Sequence, residues 1–517
     1  MKAIFKLKTA LLACILFSIN SCTSDIDKVE NNNDPNASQV LANGQDLVSV
    51  ISGGFVTWWQ AGNRDTYPAL AVAGDIATCS WGNYGMRTLS NEPRNSIPNT
   101  VSWSSGTVLS EPWGGYYSSA SSASDVIKAI NNGVKYYVDG VDETNSIKSS
   151  AYFLRGISLG YLGLLFDKAV IIDENTDPLA VATTSNYSDV ITAALVDLDK
   201  SIQLSSTNTF TLPTNLINGY TLDNDKLLQL ANSYSARFIV QGARTQAETN
   251  TIDWGAVKTF AENGIQEDFG PIGDNGTSWW SNMLVLSNSP NGFQESGGRL
   301  DMRIVNLMDP TQPTFYPTTV DIPNPQITTL DKRITTDFNF ESIVEFFASR
   351  GKYHFSHYIS TRYISDPNFS DGSDDKRLIT FAKADNDMLL AEANARLNNL
   401  STAITIINNG TRTTRGELAD ILTSASQATV LDAIFYERYV ELFNTAVGGG
   451  FFDRRRTDQL QIGTFRHFPI PANILNVLGI PLYTFGGATN DPTGMVPHYN
   501  IETNISRVDD TNIPTFN

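Results

Sequence analysis

The chain is poor in cysteine and histidine, with three of one and four of the other. Cys14 lies inside an apolar leader and Cys22 directly follows it, so only Cys79 remains for the folded body and no intramolecular disulfide is expected. The fold must therefore stand on packing. His354, His357, His467 and His498 are few candidates for a histidine metal centre, and the three-residue step from His354 to His357 in a strand-like aromatic run points the two rings to opposite faces. Basic residues are scarce as well. Against 54 Asp and Glu stand 36 Lys and Arg, a formal net charge of −18, which argues against nucleic acid or an anionic membrane surface as partner. No stretch reaches the ~20 apolar residues of a membrane-spanning helix. Motifs for a serine-hydrolase elbow, a zincin helix, a phosphate-binding loop or a dinucleotide fold are missing. Among so many carboxylates a glycosidase pair is not excluded, but nothing singles one out.

What is present begins with a secretion signal. Lys2, Lys6 and Lys8 precede an apolar run from Ala10 to Ile19, and a short polar exit leads to Cys22. Removing residues 1–21, which hold those three lysines and no acid, takes three positive charges from −18 and leaves −21. The run resembles a bacterial lipoprotein box, which implies lipidation at Cys22. Residues 22–38 are polar and acidic and read as a flexible tether.

Beyond the tether, apolar residues recur at helical spacing. Two helices are expected between residues 39 and 73, one from Trp113 to Asn131, and the strongest at 144–167, apolar nearly all round. Further helices are expected from Tyr187 to Leu204, with Ser185 as N-cap, and from Lys226 to Ala247. Residues 250–380 differ in texture, rich in Gly, Asn, Pro and aromatics, and read as a loop-rich, partly β insertion in which Tyr353 to Arg362 suits a short strand. Helices resume at 385–400, 401–409 and 428–445. There Gly448, Gly449 and Gly450 are expected to end the last helix, with Phe451 and Phe452 returning to the core and Arg454, Arg455 and Arg456 in internal ion pairs.

Residues 437–442, ERYVEL, followed by FFDRRR at 451–456, resemble the C-terminal signature of the SusD/RagB family, outer-membrane nutrient-binding lipoproteins of the Bacteroidetes. The family pattern is roughly E-R-x-x-E-L and then W-F-D-x-x-R. Three more segments match in order: AYFLRGISLGYLGLLFDKAVII from residue 151, DNDMLLAEANARLNNL from 385 and FRHFPIPANI from 465. The departures are the triple-glycine linker, Asp167 in place of a usual Gly, and Asn473 in place of an acid. The resemblance implies a mainly α, tetratricopeptide-like helical repeat scaffold in a single domain at 39–517, with helices at about 39–249 and 381–475 and the insertion at about 250–380. It also implies a lipid-anchored, cell-surface protein that captures oligosaccharides without catalysis and delivers them to a SusC-like TonB-dependent transporter. A peptide-binding relative or a surface-anchored glycoside hydrolase is the alternative.

Sugar rings stack their C–H faces on aromatic side chains while polar groups bind the hydroxyl rim. Two polar, glycine-containing loops present such residues: Trp81, Asn83, Tyr84 and Arg87 in the first, Asn275, Trp279 and Trp280 in the second. Exposure is expected for Trp81, Trp279 and Trp280, and burial for Trp58, Trp103, Trp113 and Trp254. No cofactor is expected. The acidic loop with Asp366, Asp371, Asp374 and Asp375 breaks the EF-hand pattern at Gly372 and Arg377, leaving only a looser structural Ca²⁺ site open.

Overall fold

The computed structural model describes residues 40–177, 179–274, 277–282, 298–313, 326–341, 348–363 and 377–487. Cys22, Asn275, the leader, the tether, His498 and the acidic loop at 366–375 lie outside them. The described chain is predominantly helical. Its longer elements are α1 (Gly44–Asn63), α2 (Thr66–Ala73), α3 (Thr107–Asn131), α4 (Thr144–Leu165), α5 (Tyr187–Thr207), α6 (Asn224–Gly242), α7 (Trp254–Glu262), α8 (Met302–Met308), α9 (Lys383–Arg396), α10 (Leu400–Asn409), α11 (Gln427–Val440), α12 (Gly449–Arg456) and α13 (Ala472–Leu478). Between them lie four two-stranded antiparallel pairs, among them Ala77–Thr78 with Arg299–Leu300, and Phe338–Phe340 with Tyr358–Ser360. None of the helices in the described residues is long and apolar enough to cross a membrane.

Helix α4 is the axis of the N-terminal array, packed on α1, α3, α5 and α6. Its residues from Ala151 to Leu165 are all buried. Gly156, Gly160 and Gly163 fall four and three residues apart, on one helical face, and let neighbours approach: a Cβ would lie 2.9 Å from Leu198 at Gly156, 2.1 Å from Phe238 at Gly160 and 2.8 Å from Ile191 at Gly163. These three glycines seat α5 and α6. The N-cap of α5 differs from expectation, since Asn186 holds that position and Ser185 pairs in a strand. Helix α6 is capped by Asp223, which accepts from the Lys226 amide at 2.8 Å, and stops at Gly242 rather than Ala247.

The glycine run acts differently from the sequence expectation. Helix α11 already ends at Val440, and Gly448, at φ +67°, opens α12, which carries FFDRRR. Helix α11 lies between two apolar clusters, Val430 and Ile434 facing one with α9 and α10, Phe435, Tyr439 and Val440 facing the other with α8, while Phe451 and Phe452 of α12 join the main core. The insertion is likewise more helical than its composition suggests, containing α7 and α8. Within it His354 ends a helical turn and His357 precedes a strand, both buried.

The arginines of α12 play three roles. Arg456 meets Glu392 of α9 at 2.6 and 2.8 Å and Asp453 at 2.9 Å, while Arg438 joins Asp453 at 2.7 Å to Asp385 at 3.1 Å. Arg455 instead donates to the Leu164 and Gln241 carbonyls at the C-terminal ends of α4 and α6, at 2.8 and 2.7 Å, where unpaired carbonyls and the helix dipole favour a cation. Arg454 stands over the Tyr439 ring at 5.1 Å, and its three nitrogens have no hydrogen-bond partner among the described residues. Among the described residues, the expectation of internal ion pairing thus holds for Arg456 and not for Arg454 or Arg455.

Candidate functional site

The corner between α1 and α2 carries Arg64 and Asp65, both half-buried. Segment 277–282 is fastened beside this corner by backbone acceptors. Trp59 Nε1 donates to the Trp280 carbonyl at 2.9 Å, Gln60 Nε2 to the Ser278 carbonyl at 3.0 Å, and Ser281 Oγ to the Asn63 carbonyl at 3.0 Å. Upstream, Asp274 gathers the Thr277, Ser278 and Trp279 amides on its carboxylate at 2.8–3.1 Å. These bonds fix where each tryptophan goes.

Trp279 is buried at 7% exposure, with its ring 6.2 Å from that of Trp59, so the expectation of an exposed stacking face is corrected. Successive residues of a non-helical segment point to opposite sides, and the anchored turn gives the inner side to Trp279. Trp280 is only half-buried, with the Arg64 guanidinium 5.7 Å from its ring centroid. Asn282 Nδ2 reaches Asp65 at 3.4 Å, while its Oδ1 has no partner among the described residues.

The first loop arrives from the other side. Tyr84, at φ +54°, is half-buried, and its phenol is pushed up in pKa by burial and then by the Asp65 carboxylate. Thr107 at the start of α3 donates to Asp65. Glu111, one turn on, also titrates above the ordinary range, through burial and then Asp65, with Arg64 opposing. Its Oε2 and the Arg64 Nε are further buried atoms without a described hydrogen-bond partner. Tyr84, through Asp65, and Trp280, through Arg64, thus border one small polar set, Arg64, Asp65, Glu111 and Asn282, that has hydrogen-bonding capacity to spare.

The remaining expected residues fall around this corner. Trp81 is half-buried against the core with Arg350 at 5.5 Å over its ring, so at least one face is covered. Asn83 and Arg87 are exposed on the same loop, whose Arg87 amide donates to the Trp81 carbonyl at 3.0 Å. Trp58, Trp113 and Trp254 are buried as expected, whereas Trp103 is only half-buried and packs beside Gly85, where a Cβ would lie 3.3 Å from its ring. A second hollow, between α4 and α5, has its aromatic face occupied, since Lys200 sits 4.9 Å over Tyr152. Sequence reasoning missed Arg64, Asp65 and Glu111, whose signal was positional only: a charged break between two apolar helical runs.

No family model matches the sequence, and no curated protein matches it. Solved structures do. A SusD-like carbohydrate binding protein from Bacteroides vulgatus is similar at 17% identity over 81% of this chain and 84% of its own, with a TM-score of 0.55. A SusD superfamily protein from Parabacteroides distasonis is similar at 13% identity over 86% and 98%, with a TM-score of 0.59. A third structure, with xylogluco-oligosaccharide, is similar at 15% identity over 91% and 95%, with a TM-score of 0.55. Likeness at such identity speaks for the fold, and by fold this chain is SusD-like.

Proposed function

We propose that this protein is a cell-surface SusD/RagB-type lipoprotein, anchored through lipid on Cys22, that binds a glycan and passes it to a SusC-like TonB-dependent outer-membrane transporter. Binding rather than catalysis is its role. The observation that supports the reading is that Tyr84 and Trp280, both half-buried, each border the Arg64–Asp65 corner, where rings for stacking adjoin polar atoms with unused hydrogen-bonding capacity. One structural neighbour is described with xylogluco-oligosaccharide, which makes neutral glucan-backbone glycans the first ligands to try.

The test is calorimetric titration of the purified protein against cello-, malto- and xylogluco-oligosaccharides, with a peptide mixture as control. Tyr84→Ala and Trp280→Ala are each expected to weaken glycan binding about tenfold, the scale of one lost ring contact. Unchanged glycan affinity in both variants, or binding of peptide alone, refutes the reading. Hydrolysis of any of these glycans by the purified protein refutes the non-catalytic role.

A further inference from the structure

An open groove of about 270 Å³ runs between residues 99–110 and 471–473. Val101, Trp103 and Pro471 are among its apolar lining residues, and Ser104, Ser110 and Asn473 among its polar ones. Among the described residues its lining holds no Asp, Glu, Lys or Arg, in a chain where such residues make up 17%. A cleft of that composition gains little from a charged ligand and suits one with apolar faces edged by hydroxyls.

The groove is tied across its two segments by hydrogen bonds and touches the corner site. Its floor is fastened by Asn99, whose Nδ2 donates to the Ile470 carbonyl at 3.0 Å and the Tyr483 carbonyl at 2.9 Å, while its Oδ1 accepts from the Ala472 amide at 2.9 Å. Two contacts join it to the corner. Thr107 lines the groove and donates to Asp65, and Trp103 lines it and packs on Gly85, the neighbour of Tyr84. Val101, which lines the groove, lies 66% exposed and so is accessible to a ligand there.

We infer that this groove is a second, distal glycan subsite, which continues the Tyr84–Trp280 platform past Trp103 so that the protein selects a neutral chain of several sugar units over a short one. The inference rests on the glycan-binding reading above. A sugar seated at the corner extends its chain over Trp103, where the ring stacks and Ser104, Ser110 and Asn473 meet the hydroxyls. Short oligosaccharides engage the corner alone.

The experiment is calorimetric titration with the same cello-, malto- and xylogluco-oligosaccharides, each as a length ladder from the disaccharide upward. The wild type is expected to bind long members about tenfold or more tightly than short ones, and Trp103→Ala to collapse that ratio. Because Trp103 also packs inward, Val101→Asp on the exposed edge serves as a second variant and is expected to lower the same ratio with the thermal midpoint unchanged. Trp280→Ala weakens every length together, which separates the corner from the groove. Equal affinity for short and long chains in the wild type, or a ratio untouched in both groove variants, overturns the distal subsite while leaving the corner standing. Absence of binding to every ladder overturns both.

Discussion

Removing the charge of Glu392 tests whether the arginine network locks α9 to α12. Its carboxylate receives Arg456 Nη1 at 2.8 Å and Nη2 at 2.6 Å, with both side chains fully buried. Burial acts to raise the carboxyl pKa, but the charge and hydrogen bonds of Arg456, followed by Arg396 and Arg438, bring it down from its ordinary 4.5 to about 2. A folded value below the unfolded one means that the stabilisation is fully present above about pH 4.5 and is lost as pH falls through about 2. At 1.36 kcal/mol per tenfold change in proton affinity, the depression is worth about 3 kcal/mol. That agrees with the ~3–5 kcal/mol cost of breaking a buried pair by removing one partner. Glu392→Gln keeps the shape and removes the charge, so it is expected to lower unfolding stability by about 3 kcal/mol at neutral pH, read by urea denaturation. The gap to wild type should narrow steadily below about pH 4.5. In the double variant Glu392→Gln with Arg456→Met, the two losses should sum to more than the measured total, because the pair is broken only once. A neutral-pH cost under about 1 kcal/mol, or a gap that ignores pH, would refute the lock.

Asp274→Ala frees the three amides that present Trp280. Since re-ordering a backbone residue costs about 1–2 kcal/mol and the Trp59 and Ser281 anchors remain, glycan affinity should fall about tenfold, mainly through binding entropy, with little change in thermal midpoint; unaltered affinity would show the loop is held by other means. Arg454→Met should shift stability by under about 1 kcal/mol, because this buried guanidinium lacks hydrogen-bond partners among the described residues, whereas Arg456→Met should cost about 3–5 kcal/mol; equal losses in denaturant titration would contradict the division of roles. His354 is held neutral by burial and then by Arg94, Arg87 and Arg350, its pKa down to about 3. With the folded value below the unfolded 6.5, its contribution is present above about pH 6.5 and is lost on acidification toward 3, so His354→Gln should flatten the acid side of the thermal stability profile by up to about 1.4 kcal/mol per pH unit, and an unchanged slope would disprove the assignment.

The helices were legible because helical period and burial go together. Helix α4 reads apolar nearly all round and is buried all round, and its glycine spacing states in sequence which neighbours must come close. The site was legible only in part. Trp279 and Trp280 share one composition and one loop, but adjacent residues outside a helix face opposite ways, so the motif that attracts notice holds one core ring and one platform ring. Arg64 and Asp65 were invisible because their importance comes from what folds against them across more than 200 residues, and Glu111 because it gains a role only beside them. The FFDRRR run was misread in form, since three glycines look like a helix end whether they stop one helix or open the next.

Charge gives the last link between scaffold and ligand. Twelve arginines and twelve carboxylates are buried among the described residues, and no lysine is. The interior is therefore balanced, built on the cation whose planar fork pairs bidentately and tolerates dehydration best. The chain's formal −18 must then be carried outside that core. Such an exterior repels polyanions at long range, and at the corner Arg64 and the exposed Arg87 are offset by Asp65 and Glu111, so the sign is not reversed locally. Uronate-rich or sulfated glycans would meet repulsion on approach and no net positive charge on arrival, whereas neutral glycans meet rings and hydrogen-bonding groups without that repulsion. Competition makes the point measurable: at low salt a neutral glucan oligosaccharide should outcompete a polyuronide of equal length, and a preference for the polyuronide would break the argument from charge.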